Sequence, residues 1–133
     1  MNPEQLRYTK THEWVRLDEE GGEPIAVVGL SAFATAELSD IVFIELPEPG
    51  TTLKAGEPFG QIESVKAVSD MYAPIGGEVV AVNQEAVDDV GVIQESPEDK
   101  GWLIKLRPSD PGEIESLLDP AAYKKQCEEE SDH

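Results

Sequence analysis

Turn-forming clusters interrupt this chain at short intervals: "EEGGEP" from Glu19, "PEPG" from Pro47, "KAGEP" from Lys54, "APIGG" from Ala73 and "SPEDKG" from Ser96. Glycine and proline in such clusters set the backbone angles that a reversal needs. They leave room only for the short runs "EWVRL", "PIAVVGL", "DIVFIEL", "EPFGQIESV", "GEVVAVN" and "GWLIKL", rich in Val, Ile, Phe and Trp. Many short strands between turns predict a sandwich or barrel. "WLIKL" alternates, with Trp102, Ile104 and Leu106 on one face and Leu103 and Lys105 on the other. "IAVV" is apolar at every position, so its strand should be covered on both sides.

Helices are expected at the edges of this pattern. Ser31 can cap "AFATAEL", turning Phe33, Ala36 and Leu38 inward. Asp110, Pro111 and Glu113 carry the signs of a helix start, predicting a helix over "PGEIESLL". Asp119-Pro120 should open another through "AAYKKQC", and the acidic end "EEESDH" is expected to be disordered. Gly56-Glu57 and Gly77-Glu78 give a faint echo of two related halves. One domain is expected over 1–133, with a core at about 8–123 and an acidic tail at 124–133.

Ten basic residues against 28 acidic ones give a net charge of −18. That charge repels phosphate backbones and anionic lipid, so neither nucleic acid nor membrane is an expected partner. Basic protein surfaces fit better, and solubility explains the acid equally well. Cys127 is alone, and the histidines are His12 and His133, so no disulfide framework, CxxC pair or Cys/His zinc site can be assembled. No nucleophile elbow accompanies His12, and "GTTLKAGE" lacks the GK[ST] ending of a phosphate loop. No apolar run approaches the ~18 residues of a membrane span. "MNPEQLRYTK" lacks the features of a secretory or transit segment, so the cytoplasm is expected, or the mitochondrial matrix for a processed eukaryotic form.

One lysine stands out against the acid. In "GQIESVKAVSDMYAPIGG" (Gly60–Gly77), strand-forming residues run to Val65 and resume near Val68, which places Lys66-Ala67 at a tight reversal. A lysine there points outward, whereas a catalytic lysine needs burial to lower its pKa from about 10.4. On spacing alone it is an ordinary solvated turn lysine or one that another enzyme reaches and acylates.

The motifs "THEWVR", "DIVFIELPEPG", "FGQIESVKAVSDMYAPIGGEVVAVN" and "GWLIKL", in that order from about Tyr8 to Tyr123, resemble the glycine cleavage H-protein family. "ESVKA" separates it from biotin carriers, which typically have methionines where Val65 and Ala67 stand, and from 2-oxo acid dehydrogenase lipoyl domains, which usually have aspartate before the lysine. The resemblance implies a mainly β (α+β) fold, a lipoyl-type barrel-sandwich hybrid of two small antiparallel sheets with short helices, including C-terminal ones. It implies lipoic acid in amide linkage on Lys66, an arm of roughly 14 Å whose ring supplies redox sulfurs. It implies three partners: a pyridoxal-phosphate glycine decarboxylase that loads an aminomethyl group, a folate-dependent aminomethyltransferase that removes it, and dihydrolipoamide dehydrogenase, which reoxidises the arm. A lipoate ligase or lipoyl/octanoyl transferase would install the arm. The chain itself is then a carrier and not an enzyme, and a monomer is expected because it docks on several enzymes in turn.

A cleft that sheltered a cationic amine would exclude water and offer a carboxylate. Glu13 and Asp70 are the candidate acids and Thr11 a neutral partner; the plainer reading makes Glu13 a solvated neighbour of Trp14 and Asp70 a strand terminus. Glu63, Ser64, Val65 and Ala67 are candidates for hairpin recognition by the acylating enzyme, although solubility also explains Glu63. Trp14 and Trp102 are expected in the core, and Gly76-Gly77 at a tight backbone approach. Three positions depart from the family pattern: Ser39 for a usual glycine, Val90-Gly91 for Pro-Glu, and Gln94 for a common asparagine. Competing readings are a relay that passes lipoyl or octanoyl groups to other complexes, and an unmodified interaction module.

Overall fold

The structure is a computed structural model and describes residues 6–38, 40–65, 68–97 and 100–131. Lys66, Ala67 and Ser39 therefore lie outside the described residues. Among the described residues, nine strands run in the order β1 (Arg7–Tyr8), β2 (Glu13–Glu20), β3 (Glu23–Leu30), β4 (Ile41–Glu45), β5 (Thr52–Leu53), β6 (Pro58–Ser64), β7 (Val68–Tyr72), β8 (Gly77–Val82) and β9 (Ile104–Pro108). They form two antiparallel sheets, one ordered β1-β2-β3-β9-β8-β5 and one ordered β4-β6-β7. The described residues also include four helices, α1 (Ala32–Leu38), α2 (Gln84–Asp88), α3 (Gly91–Glu95) and α4 (Pro120–Ser131), and a 3-10 turn at Pro111–Ser116.

The main core lies between the sheets. Ala26 and Val28 of β3, Ile104 and Leu106 of β9, Ile44 of β4, and Phe59 and Ile62 of β6 meet there, all buried. Strand alternation sends Val27 to the opposite face, where it joins a second cluster with Leu6, Tyr8, Trp14 and Tyr123. The all-apolar "IAVV" is thus explained: one face meets the sandwich, and the N-terminal segment and α4 cover the other. Trp14 is fully buried, and its indole N–H donates to the Pro97 carbonyl at 2.8 Å. Its cross-strand partner is Gly29, where a Cβ would stand 2.7 Å from the indole ring. Trp102 is half-buried against the same cluster. Gly77 is held against β9 so closely that a Cβ would lie 2.4 Å from the Arg107 carbonyl oxygen.

Several helical expectations need correction. Ser31 does cap α1, accepting from the Ala34 N–H at 3.1 Å. Phe33 packs against the aromatic cluster as expected, but the rest of the inward stripe is Ser31, Ala34 and Thr35, the i, i+3, i+4 set counted from the cap, and Ala36 is exposed. "PGEIES" forms a 3-10 turn because the chain must straighten at Leu118 to pair with Tyr8. Asp110 caps it by accepting from the Gly112 N–H at 3.0 Å, and Glu113 reaches away to accept from the Gly76 N–H at 3.1 Å. The C-terminal segment is helical through Ser131 instead of disordered. Asp119 caps α4 through the Ala122 N–H at 2.8 Å, Cys127 packs against the aromatic cluster, and the Gln126 amide donates to the Lys10 carbonyl. These anchors outweigh three glutamates at the unfavourable end of the helix dipole.

Candidate functional site

Beyond Tyr8 the chain turns back through Thr9–His12 into β2. His12 takes a left-handed backbone, φ 73°, its N–H donating to the Thr9 carbonyl at 3.1 Å and its carbonyl accepting from Ser31 at 2.9 Å. The turn gathers two hydroxyls about Glu13, which is only 1% exposed, and β7 adds a backbone N–H. The Thr9 hydroxyl donates to Glu13 Oε1 at 2.7 Å, the Thr11 hydroxyl donates to the same oxygen, and the Tyr72 N–H of β7 donates to Oε2 at 3.3 Å. Burial pushes the Glu13 carboxyl above its ordinary range, and the donors from Thr11, Thr9 and Tyr72 only partly offset that.

β7 is an edge strand of the small sheet, so its free edge can face this carboxylate. Between that edge, the Thr11–Glu13 turn and α1 lies a cleft of about 340 Å3. Leu30, Phe33, Ile62 and Met71 form its apolar walls; Thr11, His12, Glu13, Glu37, Ser69 and Asp70 supply its polar surface. Among the described residues lining it there is no lysine or arginine. Apolar walls with a few convergent carboxylates suit a slender apolar ligand that ends in a cation. Asp70 is exposed and accepts from the Gln61 amide at 3.1 Å.

The three candidate cleft residues of the sequence are therefore brought together: Thr11, Glu13 and Asp70 all line the cavity. Glu13 is buried where strand alternation suggested a solvated side chain. His12, Phe33, Glu37, Ser69 and Met71 were not anticipated there. Cleft membership of His12 follows from its backbone sign, which no local pattern announces. Its Nδ1 lies 2.7 Å from the Tyr123 hydroxyl, which also hydrogen-bonds Ser31 Oγ, so α4 braces the cleft wall from behind.

The hairpin end is arranged differently. The last β6–β7 pair is Glu63 with Val68, and Ser64, the final residue of β6, pairs with Ile41 of β4. Of the recognition candidates, Glu63 and Val65 face solvent, Ser64 is buried at 5% exposure, and Ala67 lies outside the described residues. The Val65 N–H donates to the carbonyl of Asp40, the residue before β4, at 3.0 Å. Trp14, wholly inside the core, does not line the cleft.

A protein-family profile described as "Glycine cleavage H-protein" matches residues 6–130. The glycine cleavage system H protein of Rhodopirellula baltica is 49% identical over 129 residues, covering 96% of each chain. The mitochondrial H protein of Oryza sativa subsp. indica is 47% identical over 128 residues, which are 96% of this chain and 76% of that one. The crystal structure of a glycine cleavage system H protein from Mycobacterium marinum superposes with a TM-score of 0.84 at 38% identity, covering 94% of this chain and 98% of that one. With its two-sheet fold and a profile match over nearly its whole length, the chain belongs to the glycine cleavage H-protein family.

Proposed function

We propose that the chain is the lipoyl carrier of glycine cleavage, with lipoic acid in amide linkage on Lys66. On this reading it serves glycine decarboxylase, aminomethyltransferase and dihydrolipoamide dehydrogenase in turn. The bound dithiolane supplies the sulfur that accepts the aminomethyl group of glycine and the redox couple that is later restored. The protein's own residues hold, orient and shelter.

The observation that carries the proposal is the position of the cleft. β7 starts two residues after Lys66, and Ser69, Asp70 and Met71 of that strand line the cavity. At about 3.3 Å per residue, Tyr72 lies roughly 13 Å along the strand from Val68, and its N–H meets the Glu13 carboxylate. From Lys66, an arm of roughly 14 Å laid along the strand spans about four residues and brings its cationic end to the level of Asp70, inside the cleft that the Glu13 carboxylate also lines. Leu30, Phe33 and Met71 would cover the arm and exclude water, while Glu13 and Asp70 would accept from the amine. The residues present thus fit the group.

The test is replacement of the tether. Lys66→Arg keeps the charge and cannot form the amide, so exchange of CO2 with the carboxyl of glycine, measured with purified decarboxylase, should fall to the level seen without carrier. Exchange at the wild-type rate would overturn the proposal.

A further inference from the structure

Five large hydrophobic side chains are exposed among the described residues: Leu17, Val42, Phe43, Val65 and Val68. Single apolar residues on a surface are ordinary, but clustered ones mark contact sites. Four of these five sit at one end of the three-stranded sheet, each more than half exposed. Register explains the grouping. Phe43 of β4 stands opposite Glu63 of β6, and Glu63 stands opposite Val68 of β7. Cross-strand neighbours are about 5 Å apart, so phenyl, carboxylate and isopropyl groups make one row about 10 Å long. The next rung, Ile44 with Ile62, is buried, which places the row on the outer face. Val42 is the extra residue where the register shifts between Ile41 and Phe43.

We propose that this row is the docking surface for the lipoate ligase that acylates Lys66. The inference rests on the attachment proposed above and names the surface that serves it. Reach selects this occupant. The ligase must bring its activated acyl group to the lysine nitrogen itself, so it has to cover the last rung before the turn. Enzymes that act at the far end of the arm work up to ~14 Å away and can dock elsewhere. In the reaction the neutral amine attacks the acyl carbon of lipoyl adenylate. The C–N bond forms, the C–O bond to AMP breaks, AMP leaves and the amine's proton passes to solvent, with no redox change.

Charge describes the partner further. Glu63 lies at the centre of the row, Glu45 and Asp70 are exposed at the next outward rung, and the chain carries −18 overall. The complementary face is an apolar pocket for the Phe43 ring, bordered by lysine or arginine. None of Phe43, Glu63, Val65 or Val68 lines the cleft, and Asp70 alone is shared between the two surfaces.

The experiment uses purified lipoate ligase with ATP and lipoate, the unmodified full chain as varied substrate, and intact mass as readout. Phe43→Ser should lower kcat/KM by about tenfold, chiefly through KM, while Leu17→Ser, an exposed apolar residue elsewhere, should leave it unchanged. A Phe43→Ser value within twofold of wild type overturns the docking inference. Hydrogen exchange on the wild-type chain needs no variant: ligase should protect the amides of 42–44, and absence of that protection also overturns it. If the wild-type chain is acylated at Lys66 but Phe43→Ser is equally good, only the docking surface falls. If the wild-type chain takes no lipoate at Lys66, the carrier proposal falls with it.

Discussion

Glu13 and Trp14 are consecutive residues, both almost wholly buried, and they are held by opposite physics. Trp14 enters the aromatic cluster under α4, where its burial removes apolar surface from water and its one polar atom finds the Pro97 carbonyl. Glu13 points to the other side of the strand, where burial is a cost that two threonine hydroxyls and one edge-strand N–H only partly offset. One side of the strand's first rung stabilises the fold, and the other holds a group the fold would be more stable without. A region kept at a cost to stability is where function is expected.

That contrast can be broken by experiment. The largest effect belongs to Trp14→Ala, which should lose about 3–5 kcal/mol in urea denaturation, since the indole has no solvent exposure and no space into which neighbours can collapse cheaply. A loss under ~1 kcal/mol would mean the aromatic cluster is not what secures the strand. Tyr123→Phe comes next. It removes the hydroxyl shared by His12 and Ser31 and should cost about 1–2 kcal/mol while leaving the stack on Tyr8, with centroids 4.1 Å apart, in place.

The smallest stability effect, and the most telling sign, belongs to Glu13→Gln. Because the folded carboxyl holds its proton more tightly than the unfolded one, its contribution to stability is full below the unfolded glutamate pKa and is lost as pH rises through the raised folded value. The glutamine variant should therefore match or slightly exceed wild type at neutral pH, by about 1 kcal/mol or less, with a flatter profile above pH ~4. On the same variant, amine loaded onto the lipoylated carrier should be lost to water several times faster than from wild type. Unchanged retention would separate Glu13 from the cargo.

The legible and illegible parts of this molecule divide by range. Strands β2, β3, β4, β6, β8 and β9 follow from alternation and turn residues, and the β6–β7 hairpin is closed by neighbours in sequence. Thr11, Glu13 and Asp70 could be selected by their chemistry, but the bond from Tyr72 to Glu13 spans 59 positions and depends on how the two sheets stack. In α1 the inward side of Phe33 is legible but the exposure of Ala36 is not, because only two turns exist and the cap residue itself, Ser31, belongs to the buried stripe. The end of α4 reads as a solvated acidic tail until Gln126 and Cys127 are seen to meet Lys10 and the tyrosine cluster, contacts that sequence separation hides. The exposed row at Phe43 was equally silent, since β4 has the composition of an ordinary core strand and only the register shift after Ile41 reveals which residues face out.

The left-handed backbone at His12 carries a further consequence. Such a conformation costs an L-residue about 1–3 kcal/mol, and it persists because amide, carbonyl and ring are each already engaged, with Thr9, Ser31 and Tyr123. A loop constrained from three directions has little freedom left to surrender when something arrives beside it. The neighbouring acid is thus set in position beforehand, and the entropy of ordering that turn is met once, during folding, and not again each time something enters the cleft.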